Sequence, residues 1–149
     1  MPVYKGTREI DIAAPPEACF AVLTDYDHLP DWLRMVRGCE VLSRDEQGRA
    51  AEVEYEIDAV LRRVTYRLRH LYDEPVWVGS EYLGGDFECF EGSWRFDAQE
   101  SATHVTFNLR IDPGLRVPGR IAKLLNDAVM GQSVRDLAAR VQAVSGGRP

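Results

Sequence analysis

The chain alternates apolar and polar residues over several short stretches, a pattern typical of half-buried strands. Ile10 and Ile12 share one parity near the start, and acidic residues take the other parity. The clearest alternation covers 103–111, where Val105 and Phe107 belong to the inward set. Together these patterns predict seven strands, at 3–13, 41–44, 51–58, 63–71, 76–83, 87–97 and 103–111.

Helical segments follow the first strand and the last. The Ala-Pro-Pro-Glu motif at 14–17 predicts a helix start, and this helix ends near Asp25. A second short helical piece is predicted over 27–33. The stretch 119–145 is rich in Ala, Leu, Arg and Val and predicts one long helix. Residues 146–149 are expected to form a frayed tail.

This order of elements predicts an α+β fold. Strands in series with short turns form an antiparallel sheet, and a long amphipathic helix must cover the apolar face of that sheet. A chain of 149 residues has the length of one domain, so we expect a single domain over 1–149.

The apolar residues of the long helix change faces beside Gly131. The first group is Ile121, Leu124, Leu125 and Ala128, and the second is Met130, Val134, Leu137, Val141 and Val144. Because a straight helix cannot bury two opposite faces against one sheet, we expect a kink at Gly131, with the first half as a movable cover. Packing under the 113–118 loop, or against a second subunit in a homodimer, is the alternative.

Composition narrows the possible partners. With 24 acidic and 18 basic residues the net charge is −6, which disfavours nucleic acid as a partner. We expect no signal peptide and no stable membrane insertion, because the N-terminal pattern and the short apolar runs fit neither. Cys19, Cys39 and Cys89 are interpreted as buried reduced thiols of a cytoplasmic protein. No metal and no cofactor is predicted.

A basic group in the centre of the chain is predicted to pair with acids rather than to bind an anion. The group consists of Arg62, Arg63, Arg67 and Arg69. If Asp58 lies opposite Arg63 on neighbouring strands, Glu56 lies opposite Thr65, Glu54 opposite Arg67 and Glu52 opposite Arg69. Opposite charges then face each other across the strands.

Four motifs carry a resemblance to a known superfamily. They are Ile-Ala-Ala-Pro-Pro-Glu at 12–17 leading into Phe20, Asp-Tyr-Asp-His-Leu-Pro-Asp-Trp at 25–32, Gly-Asp-Phe at 85–87 and Gly-Ser-Trp-Arg-Phe at 92–96. With the closing helix, they resemble the START-like (SRPBCC) superfamily, and most of all its polyketide cyclase and coenzyme Q-binding branch. The resemblance implies a helix-grip (Bet v 1-like) fold, in which a seven-stranded antiparallel sheet wraps around the C-terminal helix and two short helices close one end. It also implies an apolar cavity that takes a lipid, a quinone or an aromatic polyketide.

Large inward side chains and two residues of the long helix are the candidate ligand-binding residues. They are Trp32, Tyr55, Tyr66, Leu68, His70, Tyr82, Trp94, Phe96, Phe107, Leu124 and Ala128. Aromatic faces with a few polar tips suit a flat hydrophobic ligand. Ordinary core packing is the alternative for each of them.

His70 is the candidate catalytic residue, because it continues an apolar strand face and could act there as a general acid or base. A histidine at the rim of the sheet is the alternative. Aromatase/cyclases of the resembling branch carry an arginine at the corresponding position, whereas this chain has Arg69 followed by His70. His28 and His104 are expected at the surface.

Three functions remain open from the sequence. The first is a carrier or chaperone for a hydrophobic small molecule, which needs only shape and apolar walls. The second is a cyclase or dehydratase that uses a cavity His/Tyr pair. The third is a ribosome-associated interaction module, which the acidic charge disfavours.

Overall fold

The computed structural model describes residues 3–58, 63–114 and 117–146. These residues contain seven strands, two short α-helices and one long α-helix. The strands are β1 (Tyr4–Ile12), β2 (Val36–Arg44), β3 (Ala50–Asp58), β4 (Arg63–Asp73), β5 (Trp77–Gly85), β6 (Cys89–Ala98) and β7 (Thr103–Asp112). The helices are α1 (Pro16–Leu23), α2 (Leu29–Trp32) and α3 (Gly119–Val141), with a 3₁₀ turn at Tyr26–His28 and a π turn at Gln142–Gly146. Of the predicted frayed tail, 147–149 lie outside the described residues.

The strands form one antiparallel sheet in the order β1-β7-β6-β5-β4-β3-β2. The α+β helix-grip prediction is therefore confirmed, with two short helices after β1 and a long helix at the end. Helix α3 packs against β1, β7 and α1. Pro16 occupies the first turn of α1 and Glu17 follows it, as the sequence predicted for a helix start.

The register of β3 and β4 is the predicted one. Glu52 lies opposite Arg69, Glu54 opposite Arg67 and Asp58 opposite Arg63. The shortest ion pair joins Arg67 Nε to Glu54 Oε1 at 2.8 Å. These arginines therefore carry acidic partners on the outer face of the sheet, while Arg62 lies outside the described residues.

The buried face of α3 differs from the predicted one. Its buried residues are Ala122, Leu125, Asn126, Val129, Met130, Ser133, Val134, Asp136, Leu137 and Val141, which form one continuous stripe along an uninterrupted helix. The predicted change of face beside Gly131 is wrong, and the movable cover loses the observation on which it rested. Polar Asn126, Ser133 and Asp136 lie inside, whereas apolar Leu124 is 53% exposed.

Two hydrophobic clusters fill the space between the sheet and the helices. The smaller one joins α1 to the end of α3 and includes Phe20, Phe96 and Leu137. The larger one extends over β3, β4 and β7 and includes Tyr55 and Tyr66. The larger cluster is not completely filled, and the space left within it is the candidate site.

Candidate functional site

A cavity of about 100 Å³ lies between the sheet and α3. Side chains of α1, α2, the strands β2 to β7 and α3 line it, including Leu23, Leu29, Phe107 and Val129. Among its described lining residues there is no Asp, Glu, Lys or Arg, and His70 is the one imidazole. The walls are thus almost entirely apolar and aromatic, the composition typical of small-molecule sites.

The shortest polar contact among the lining residues joins two neighbouring strands. The hydroxyl of Tyr55 on β3 lies 2.6 Å from Nε2 of His70 on β4. The ring of Tyr26 stacks on the same imidazole, with 4.9 Å between ring centroids. Burial lowers the pKa of His70 to about 4, and a contact with the backbone of Gly79 opposes this only in part. The imidazole is therefore neutral at neutral pH.

The tautomer of His70 follows from the hydrogens available. A neutral imidazole has one donor and one acceptor nitrogen. We assign the Tyr55 hydroxyl as the donor to Nε2, which leaves the proton on Nδ1 beside the backbone of Gly79. Nδ1 is fully enclosed and, within the described chain, has no hydrogen bond of normal geometry.

A second chain of hydroxyl groups fixes the end of the cavity near the short helices. Tyr72 donates to the carbonyl of Ala50 at 2.6 Å, so its oxygen is left to accept from the Tyr26 hydroxyl at 3.0 Å. Burial raises the pKa of Tyr26 well above its usual value, so this hydroxyl stays protonated. The aromatic wall that Tyr26 provides is thereby anchored to β3 and β4.

One part of the cavity wall lies where the backbone pairing between β5 and β6 ends. These strands pair only from Trp77 opposite Arg95 to Gly79 opposite Ser93. Beyond that point the Ser80 hydroxyl replaces the backbone ladder, accepting from Gly92 N at 3.0 Å and lying 3.2 Å from Gly92 O. Ser80 and Gly92 both line the cavity.

A family model described as "Polyketide cyclase / dehydrase and lipid transport" matches residues 12–138. The chain belongs to this family. Because the match covers most of the sequence, the START-like assignment made from the motifs is confirmed. No curated protein sequence matches the chain at a significant level.

Solved structures share the fold of this family member at low sequence identity. A START superfamily protein from Mycobacterium smegmatis is 20% identical with a TM-score of 0.87, covering 95% of this chain and 99% of that one. A Thermus thermophilus protein is 23% identical with a TM-score of 0.80 over the same shares of the two chains. The Zhui aromatase/cyclase from Streptomyces sp. R1128 is 13% identical with a TM-score of 0.84, covering 99% and 100%. At these identities the likeness shows the fold alone.

The cavity of this family member brings together six of the eleven sequence-predicted ligand residues. They are Tyr55, Tyr66, Leu68, His70, Trp94 and Phe107. All six lie on β3, β4, β6 and β7, where the alternation of strand residues determines which side chains point inward.

The other five predicted residues do not line the cavity. Phe96 is completely buried in the smaller cluster, and Trp32 is partly buried between the two clusters. The Tyr82 hydroxyl donates to the carbonyl of Phe87 at 2.6 Å and fixes the turn before β6. Leu124 and Ala128 lie on the exposed face of α3.

Several residues that line the cavity were not predicted from the sequence, among them Leu23, Tyr26, Val129 and Ser133. Val129 and Ser133 lie one helical turn apart, and their spacing could have indicated a shared face. Tyr26 lies in the 3₁₀ turn, where no hydrophobic period marks the inward direction.

The remaining histidines lie at the surface, as expected. A hydrogen bond to Asp25 raises the pKa of His28. Hydrogen bonds to Asp11 and Glu9 raise the pKa of His104. Neither histidine lines the cavity.

The three cysteines are free thiols in different surroundings. Cys19 is buried as predicted, whereas Cys39 and Cys89 are partly exposed, so the prediction of three buried thiols is wrong for these two. The partial burial of Cys39 still raises its pKa to about 12, which keeps the thiol protonated and unreactive. Within the described ranges, no group of three or more His, Cys, Asp or Glu is arranged to hold a metal ion. Likewise, no helix among those residues is long and apolar enough to span a membrane.

Proposed function

We propose that the protein binds a small hydrophobic molecule in this cavity and acts as its carrier or chaperone. The observation that supports this is the cavity itself, an uncharged space of about 100 Å³ within the larger cluster. Empty space of this size costs stability, because the lining atoms lose dispersion contacts. An apolar guest restores those contacts, which gives a binding free energy without any catalytic group.

The size of the cavity limits the ligand in this conformation. An apolar cavity of about 150 Å³ holds a benzene molecule, so at about 100 Å³ this cavity takes a short chain as it stands and a single ring after a modest widening. A long isoprenoid quinone or a fused polycyclic polyketide would require the cavity to widen much further. Among the neighbouring strands, β5 and β6 share the fewest paired positions, so the sheet would lose fewest backbone hydrogen bonds by opening there.

Native mass spectrometry of the purified protein, followed by solvent extraction, tests the proposal. We expect a small molecule in stoichiometric amount, lost in Val129→Phe because the larger side chain fills the cavity. Ala128→Phe is the matched control, since the neighbouring residue is exposed and the same ring there leaves the cavity open. If the natural ligand dissociates during purification, an NMR titration with toluene measures directly whether the empty cavity binds an apolar guest. Wild-type protein that carries no small molecule and shows no saturable toluene binding would overturn the proposal.

Acid–base catalysis of the cyclase or dehydratase type is the second candidate, favoured by the 2.6 Å contact between Tyr55 and His70. A neutral His70 with a pKa of about 4 is a weak base at neutral pH. Its contribution would therefore lie in donating a hydrogen bond or relaying a proton through Tyr55. Turnover that is abolished by His70→Gln while toluene still binds would support this function, whereas unchanged turnover would exclude it.

A further inference from the structure

The cavity carries two hydroxyl groups that the protein does not use. Tyr66 on β4 and Ser133 on α3 both line it. Within the described residues neither hydroxyl has a hydrogen-bond partner, although buried tyrosine hydroxyls usually find one. One group comes from the sheet and the other from the helix that covers it.

Both hydroxyl groups retain contact with open space. In the described chain, the fully enclosed side-chain atoms without a partner are His70 Nδ1 and Asn126 Oδ1. The hydroxyl oxygens of Tyr66 and Ser133 are not among them, so each keeps some accessible surface. Tyr66 is 4% exposed and Ser133 5% exposed, and both line the cavity. We assign this accessible surface to the cavity, because both residues line it.

The direction of the Tyr66 hydrogen bond follows from its burial. Burial raises the pKa of Tyr66, so the group is a protonated hydroxyl at all moderate pH values. A phenolic hydroxyl is a good donor. Without an acceptor in the protein, its proton is available to an oxygen of the guest.

The same walls are unsuited to a charged guest. No lysine or arginine is among the described lining residues. The imidazole of His70 is neutral and already bonded to Tyr55. A carboxylate would lose its hydration and gain no counter-charge, which is the costly case of charge burial.

We propose that the ligand is an uncharged, mainly apolar molecule with one carbonyl-type oxygen, which accepts a hydrogen bond from the Tyr66 hydroxyl in the cavity that Ser133 also lines. This inference rests on the proposed function, because it needs an occupied cavity. It makes Tyr66 the residue that selects an oxygenated guest over a pure hydrocarbon, and it places fatty-acid anions outside the ligand class.

Three compounds of nearly the same shape test this inference. Acetophenone carries the carbonyl, α-methylstyrene replaces its oxygen by CH₂, and benzoate carries a charged group of similar size. The Kd of each is measured by NMR titration on wild type, Tyr66→Phe and Ser133→Ala. A net hydrogen bond corresponds to roughly a 2- to 12-fold change in Kd. We therefore expect Tyr66→Phe to weaken acetophenone by about that factor relative to α-methylstyrene, with a smaller change in Ser133→Ala.

The comparison contains its own controls. Unchanged binding of α-methylstyrene in the variants shows that the cavity is intact. Ser93 lies outside the cavity lining, so Ser93→Ala should leave the ratio of the acetophenone Kd to the α-methylstyrene Kd unchanged. A ratio in Tyr66→Phe equal to that of wild type overturns the role of Tyr66. Benzoate binding as tight as acetophenone overturns the uncharged class. If neither neutral compound binds, the proposed function itself fails, which distinguishes the two failures.

Discussion

The Tyr55 hydroxyl and His70 Nε2, 2.6 Å apart, join β3 to β4 through a neutral hydrogen bond at the cavity. Burial holds the pKa of His70 at about 4, below its ordinary value of 6.5. Well above pH 6.5 both the folded and the unfolded chain carry a neutral His70, so its titration does not change the free energy of unfolding there. As the pH falls from 6.5 towards 4, the unfolded chain binds a proton that the folded chain does not, and the free energy of unfolding decreases.

We therefore predict that acidification destabilises wild type more than His70→Gln. Urea unfolding at pH 7.5 and pH 4.5 should show an extra loss of about 2 kcal/mol in wild type, since each pKa unit corresponds to about 1.4 kcal/mol. His104→Gln is the matched control. The pKa of His104 is raised, so its contribution to stability is present at low pH and is lost as the pH rises. Equal losses in wild type and His70→Gln would contradict the buried neutral imidazole.

The neighbouring residues Leu124 and Leu125 test the face of α3. Leu125 is 5% exposed, whereas Leu124 is 53% exposed. We predict that Leu125→Ala lowers the free energy of unfolding by about 2–4 kcal/mol, because it opens a void in the larger cluster. Leu124→Ala should change it by less than about 0.5 kcal/mol. Urea unfolding measures both, and similar losses would support the two-faced helix that the sequence suggested.

The sheet was predictable because its signals are local. Alternation on β3 and β4 places Tyr55 and Tyr66 on the inner face and their charged neighbours on the outer face. The register that pairs opposite charges outside also places Tyr55 opposite Tyr66 inside. The strand-derived part of the cavity follows from that parity. Six of the eleven predicted residues line the cavity for this reason.

The polar positions on the buried face of α3 were not predictable from hydrophobicity. Asn126, Ser133 and Asp136 are polar, so a pattern based on apolar residues assigns them to solvent, although each is buried. Asp136 accepts from the backbone N–H of Arg34, which only the folded chain brings near, and Ser133 lines the cavity. Such positions depend on tertiary contacts rather than on local sequence.

Gly6 on β1 sets the distance between the sheet and α3. A Cβ at this position would lie 2.6 Å from Met130 Sδ and 3.3 Å from Asn126 Nδ2. Met130 is completely buried, so its side chain has little room to move. We predict that Gly6→Ala lowers the free energy of unfolding by about 1–3 kcal/mol. Gly38→Ala is the matched control in thermal or urea unfolding.

Gly38 has room for a Cβ, whereas Gly6 does not. A Cβ at Gly38 would meet only Glu56, at 3.8 Å, which is ordinary contact. Gly38→Ala should therefore be neutral or stabilise the protein by a few tenths of a kcal/mol, since it restricts the unfolded chain. Equal effects of the two substitutions would show that the closeness of β1 and α3 is not what Gly6 provides.

Asp136 on α3 connects the long helix to the segment between α2 and β2. Its carboxylate accepts from the backbone N–H of Arg34 at 3.0 Å and from Gln132 Nε2 at 2.7 Å. The Arg34 guanidinium adds an ion pair at 3.3 Å, but that side chain is 79% exposed, whereas the Asp136 side chain is 3% exposed. Leu33 and Met35, on either side of Arg34, line the cavity.

These exposures predict an asymmetry between the two ends of the ion pair. Asp136→Ala leaves the Arg34 N–H without its acceptor and should lower the free energy of unfolding by about 2–3 kcal/mol. Arg34→Ala removes only an exposed charge and keeps the backbone hydrogen bond, so the loss should be below about 1 kcal/mol. Urea unfolding measures the stabilities, and amide exchange at Arg34 should accelerate in Asp136→Ala alone. Comparable losses in the two variants would mean that the ion pair, rather than the backbone contact, holds the cavity rim to α3.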